Sequence, residues 1–125
     1  MKLEYFESGD SGRPMLLLYG GGPDEVSLLR RALRDMAGGR IRQLAVHNLP
    51  VGPPVDDCRL RATLSKSDVG VVRGEAPNEF AWTLDAESWV QIDELLEQFH
   101  HDEGGVRFQY LNPARGPEVI YSTQR

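Results

Sequence analysis

The sequence predicts a small α+β protein, a single domain over residues 1–125 with a largely antiparallel sheet and two amphipathic helices. Three observations carry that expectation. Short apolar or alternating runs recur between clusters of glycine, proline, asparagine and aspartate, as strands joined by tight turns do. Two longer segments space their apolar residues as one helical face. The 125 residues, 40% hydrophobic and 26% charged, suffice for one core and are too few for two.

Residues 2–7 alternate Leu3, Tyr5 and Glu7 against Lys2, Glu4 and Phe6, a strand pattern. A dense turn cluster fills 8–14, and Met15–Tyr19 is a continuous apolar run of the kind buried on both faces. A hairpin is the natural reading of the pair. Gly20, Gly21 and Gly22 then lead into a helix with Pro23 at its first position and Asp24 and Glu25 in its first turn. Its apolar stripe is Val26, Leu29, Leu33 and Met36, and Gly38-Gly39 ends it. Residues 40–49 read as a strand closed by Pro50, Pro53 and Pro54; 58–64 alternates, 69–73 is a short strand, and 80–84 is another. Asp85 is placed to cap a second helix whose stripe is Trp89, Ile92, Leu96 and Phe99, ended by Gly104-Gly105. Val106, Phe108 and Tyr110, then Val119 and Tyr121, alternate as two last strands.

The first half therefore reads strand, strand, helix, strand, strand, and so does the second. A constant offset of 63 carries Val26/Leu29/Leu33/Met36 onto Trp89/Ile92/Leu96/Phe99, Leu17 and Tyr19 onto Phe80 and Trp82, and Gly22 onto Asp85. The pattern points to two ββαββ-like halves, pseudo-repeats 1–64 and 69–125, packed as one sheet or two against paired helices.

Composition narrows the function classes. No apolar run approaches the roughly 18 residues of a membrane-spanning helix, and residues 1–7 lack the basic-then-apolar pattern of a secretory signal. Cys58 is the one cysteine, which excludes an internal disulfide and fits a reducing, cytoplasmic setting. The net charge of −5 argues against nucleic-acid binding. That charge is local. Residues 1–63 hold nine Lys/Arg against eight Asp/Glu, whereas 64–125 hold five against eleven, and no lysine or arginine lies between Arg73 and Arg107.

Candidate chemistry is sparse. The glycine loop before the first helix could cradle an anion on free N–H groups. It matches neither the Walker nor the dinucleotide pattern, and Asp24 and Glu25 would repel a phosphate there. His100 and His101 point about 100° apart on a helix and do not converge on a metal. Cys58, His47 and Asp56 or Asp57 have no spacing that marks a catalytic set. No catalytic residue, cofactor or metal is expected. The second helix is the more telling surface: Asp85, Glu87, Asp93, Glu94, Glu97, Asp102 and Glu103 have no compensating lysine, and mutual repulsion costs stability. Seven of the ten aromatics also lie in this half, and Trp82 or Tyr110 could face a partner.

The leading expectation is a non-enzymatic interaction or regulatory module of immunity or inhibitor type. It would bind a basic protein through Glu87, Asp93, Glu94 and Glu97 with Trp82 and Tyr110, without nucleic acid or membrane. The rival is a small-molecule binder or small enzyme with a pocket near Gly20, Gly21 and Gly22, lined by His47, Cys58 and Arg42. A monomer and a homodimer pairing an edge strand, 69–73 or 119–124, both remain open.

Overall fold

Eight strands and two helices are found among the residues that the computed structural model describes, 1–7, 13–49, 54–99 and 107–123. The expected turn at 8–12, Pro50, Pro53, the His100–Glu103 cluster, Gly104-Gly105, Val106 and Gln124 lie outside them. The first half supplies β1 (Lys2–Phe6), β2 (Met15–Tyr19), α1 (Pro23–Ala37), β3 (Gln43–Ala45) and β4 (Arg59–Leu64). The second supplies β5 (Gly70–Arg73), β6 (Glu79–Leu84), α2 (Ala86–Leu96), β7 (Phe108–Tyr110) and β8 (Glu118–Ser122). The α+β class, the two halves and the mainly antiparallel pairing are as the sequence predicts.

The sheets divide the halves in a way no local pattern encodes. One sheet runs β1-β2-β8-β7 and the other β3-β4-β6-β5. Each joins the opening hairpin of one half to the closing hairpin of the other. The two inner pairs, β2 with β8 and β4 with β6, are parallel, and the four outer pairs are antiparallel. Neither half can complete a sheet alone.

The helical stripes meet expectation. Val26, Leu29, Leu33 and Met36 are buried on α1, and Trp89, Ile92 and Leu96 on α2. Phe99 is buried on the 3-10 turn Glu97–Phe99 that prolongs α2. The N-caps are Gly22 and Asp85, again 63 apart. One apolar core draws on both sheets and both helices. Within it the Trp82 and Trp89 rings meet edge-on at 4.9 Å, and the Tyr5 ring of one sheet lies 4.7 Å from Phe80 of the other.

Two expectations change. The strand at 40–49 shrinks to Gln43–Ala45, because the chain tightens into a 3-10 turn over Val46–Asn48. The turn holds His47 so that its Nδ1 accepts from the Leu60 N–H at 3.2 Å, a contact an extended chain would not make. Residues 119–122 do not form an edge, since β8 lies between β2 and β7. The β7 alternation, whose covered face the sequence left open, points its aromatics outward. Gln109 pairs with the buried Tyr121, while Phe108 and Tyr110 pair with Ser122 and Ile120 on the outer face.

Candidate functional site

The acidic helix starts from a saturated N-terminus. Asp85 accepts from the Ser88 N–H at 2.9 Å, and Asp68 accepts from the Asp85 N–H at 2.8 Å and the Ser88 hydroxyl at 2.7 Å. These bonds satisfy orphan donors of the first turn and set negative charge against the positive end of the dipole. With Trp89, Ile92 and Leu96 inward, helical spacing turns Glu87, Val90, Gln91 and Glu94 outward, and all four are exposed.

Asp93 does not share that surface. It is buried between the helices, where Arg30 Nε donates to its Oδ1 at 2.8 Å and Arg34 Nε lies 3.5 Å from Oδ2. Arg30 and Asp93 are themselves 63 residues apart, so corresponding positions of the two halves face each other with opposite charges. In the sequence each lies beside its helix's apolar stripe, Val26/Leu29/Leu33 and Trp89/Ile92/Leu96, a margin that spacing alone leaves undecided.

The exposed carboxylates that remain are Glu87, Glu94 and Glu97. Among the described residues none of the three lies in an ion pair. Val90 and Leu95 are exposed between them, 43% and 38% accessible, so the face is acidic and partly apolar.

Trp82 is buried, with its Nε1–H donating to Asn112 Oδ1 at 3.2 Å, and offers nothing to a partner. Tyr110 is 47% exposed and Phe108 59%, their rings 5.9 Å apart and edge-on. The end of the acidic helix reaches the strand that bears them. Gln98 Nε2 donates to Gln109 Oε1 at 2.9 Å, and Arg107 Nη1 donates to the Gln98 carbonyl at 2.9 Å. Helix face and aromatic strand are thus neighbours, which sequence distance conceals. The exposure of Phe108 had no signal in the alternation, which fixes that two faces exist but not which one is covered.

The glycine loop is taken up by the fold. Gly20 adopts φ +75°, the left-handed region that favours glycine, to turn the chain out of β2. The Gly21 carbonyl accepts from the Tyr121 hydroxyl at 3.0 Å. The Gly22 carbonyl accepts from the N–H groups of Glu25 and Val26 at 3.1 Å each, and the Glu25 carboxylate accepts from the Met1 amino group. The Glu25 carboxylate thus adds negative charge to the first turn beside the loop.

A cleft of about 200 Å³ lies elsewhere, on the outer side of the second sheet, lined by His47, Arg59, Arg61 and Glu79 among others. Of the expected trio only His47 reaches it; Cys58 and Arg42 do not line it. Cys58 is buried, and desolvation, reinforced by the charges of Glu4 and Asp57, pushes its thiol up to about 11. Burial and those charges therefore favour the protonated thiol at neutral pH. Among the described residues no group of three or more His, Cys, Asp or Glu side chains is placed to hold a metal ion. Among the described residues no helix is long and apolar enough to cross a membrane.

No family model, no curated protein and no solved structure matches this chain.

Proposed function

We propose that the protein is a non-enzymatic interaction module that binds a basic protein partner through the outer face of α2. One observation carries this reading: Glu87, Glu94 and Glu97 stand exposed along one helix, interleaved with Val90 and Leu95, with no lysine or arginine on that helix. Three like charges disfavour the helix by a few tenths of a kcal/mol per close pair. A basic surface would relieve that repulsion and speed encounter, while the exposed valine and leucine would add apolar burial. The burial of Asp93 sharpens the proposal, because its charge is spent on joining the two helices.

The test is capture from a source lysate on the immobilised full chain at low and high salt, beside a Glu87→Gln/Glu94→Gln/Glu97→Gln variant. A basic protein held stoichiometrically at low salt, released at high salt and lost by the variant is the expected result. A partner indifferent to both salt and the substitutions would overturn the acidic-face mechanism. A small-ligand reading has the cleft at His47, Arg59 and Arg61 as its supporting observation. It gains if no protein is captured at either salt and small anions raise the melting temperature.

A further inference from the structure

The interaction reading leaves open how a partner would be held in register, and β7 supplies an answer. In an antiparallel pair, hydrogen-bonded positions alternate with positions whose N–H and C=O point the other way. The Thr123 N–H donates to the Arg107 carbonyl at 2.9 Å, and the Leu111 N–H to the Val119 carbonyl at 2.7 Å. Those bonds place 107, 109 and 111 towards β8. Phe108 and Tyr110 therefore turn their backbone groups to the outer edge of the sheet, where β7 is the terminal strand. Among the described residues the bond made there is local, from Gln109 Nε2 to the Tyr110 carbonyl at 3.0 Å.

Of the two edges expected from the sequence, 119–122 is internal and 69–73 is covered. At β5 the Val71 N–H donates to the Arg115 carbonyl at 2.8 Å. Gly70 and Gly116 let the two backbones approach so closely that a Cβ on either would lie 2.0 Å from a carbonyl oxygen. Such a covered edge is a common protection against strand pairing. Among the described residues the β7 edge has no such cover, and it carries exposed aromatics beside it.

We propose that β7 receives an extended segment of the basic partner as an added strand, a proposal that rests on the acidic-face reading and specifies its geometry. The side-chain requirement follows from the register. Residues of the added strand opposite Phe108 and Tyr110 point to the outer face and lie against those two rings, so they are apolar or aromatic. The residue opposite Gln109 points to the inner side, towards Gln98 at the end of the acidic helix. Glu94 lies one turn before Gln98 and Glu97 is adjacent. The Arg107 guanidinium takes the Gln98 carbonyl, so a basic side chain at that position must be long enough to reach past Arg107 to the two carboxylates. The recognised pattern is apolar, basic, apolar. Main-chain bonds would supply affinity and the alternating side chains specificity, as in other strand additions.

The test uses the isotope-labelled full chain and two short peptides of identical composition. One alternates valine and lysine; the other has its valines and lysines in separate blocks. The alternating peptide is expected to bind about tenfold more tightly, because only its order sets valines against Phe108 and Tyr110 with a lysine between them. It should also slow amide exchange at Phe108 and Tyr110 by about tenfold. Equal binding of the two peptides, weakened by Glu94→Gln/Glu97→Gln and with the Phe108 and Tyr110 amides unprotected, would overturn strand addition and leave the acidic face standing. Failure of both peptides to bind at low salt would overturn both.

Discussion

Replacing Asp93 separates the structural acid of α2 from the exposed ones. The side chains of Asp93 and Arg30 are only 10% and 13% accessible, and their 2.8 Å contact is the closest tie between the two helices' polar groups. Asp93→Leu would leave the Arg30 guanidinium buried without a counter-charge. Removing one partner of such a pair costs about 3–5 kcal/mol, whereas replacing both with apolar residues of similar volume is often neutral. Arg34 adds little, because it is 59% exposed and 3.5 Å away. Asp93→Leu should therefore remove a large part of a total that for most domains is about 5–15 kcal/mol. Arg30→Met/Asp93→Leu should recover most of the loss, and Glu94→Gln should change stability by no more than about 0.5 kcal/mol. Urea unfolding of the four proteins, compared by midpoint at constant slope, reads these differences. A single-variant loss below about 1 kcal/mol, or no recovery in the double variant, would refute a buried and mutually dependent pair.

Two further predictions concern the frame around the site. Gly70→Ala and Gly116→Ala should each cost at least about 2 kcal/mol in thermal unfolding, from left-handed backbone and collision together; Gly39→Ala, with φ +80° and nothing within 4 Å of its Cβ position, should cost about 1–2 kcal/mol. Alkaline titration should destabilise the fold. Burial raises Cys58 from 9.0 to about 11, and burial with the Glu25 charge raises Tyr121 from 10.0 to about 12. The unfolded chain ionises first, so stability is intact below pH 9 and falls as pH rises through about 11 for the thiol and about 12 for the phenol. At about 1.4 kcal/mol per pH decade the thiol accounts for roughly 2–3 kcal/mol. Cys58→Ala should flatten the first part of that decline; an unchanged slope would show that the thiol does not report burial.

Much of the candidate site was legible from spacing, but its sorting was not. Glu87, Glu94 and Glu97 face solvent because Trp89, Ile92 and Leu96 must face the core, which a single helix decides for itself. Asp93 lies at the margin of the apolar stripe, where a side chain is either the last buried or the first exposed. Only the position of Arg30 on the other helix decides which. Trp82 and Tyr110 were equally plausible contact residues, yet Trp82 is covered by Trp89 and bonded to Asn112 while Tyr110 stands on an outer face.

The sequence by itself determined the element types, the helical stripes, the caps at Gly22 and Asp85, and the 63-residue correspondence between halves. These depend on interactions within a few residues: periodicity, first-turn charge and the backbone preferences of glycine and proline. The tertiary structure decided the exchange of hairpins between sheets, the inner place of β8, the pairing of Arg30 with Asp93 and the terminal place of β7 in its sheet. Each depends on which surfaces meet across long sequence separations. A strand's period of two specifies two faces and two edges, but only the neighbours that arrive determine which are covered.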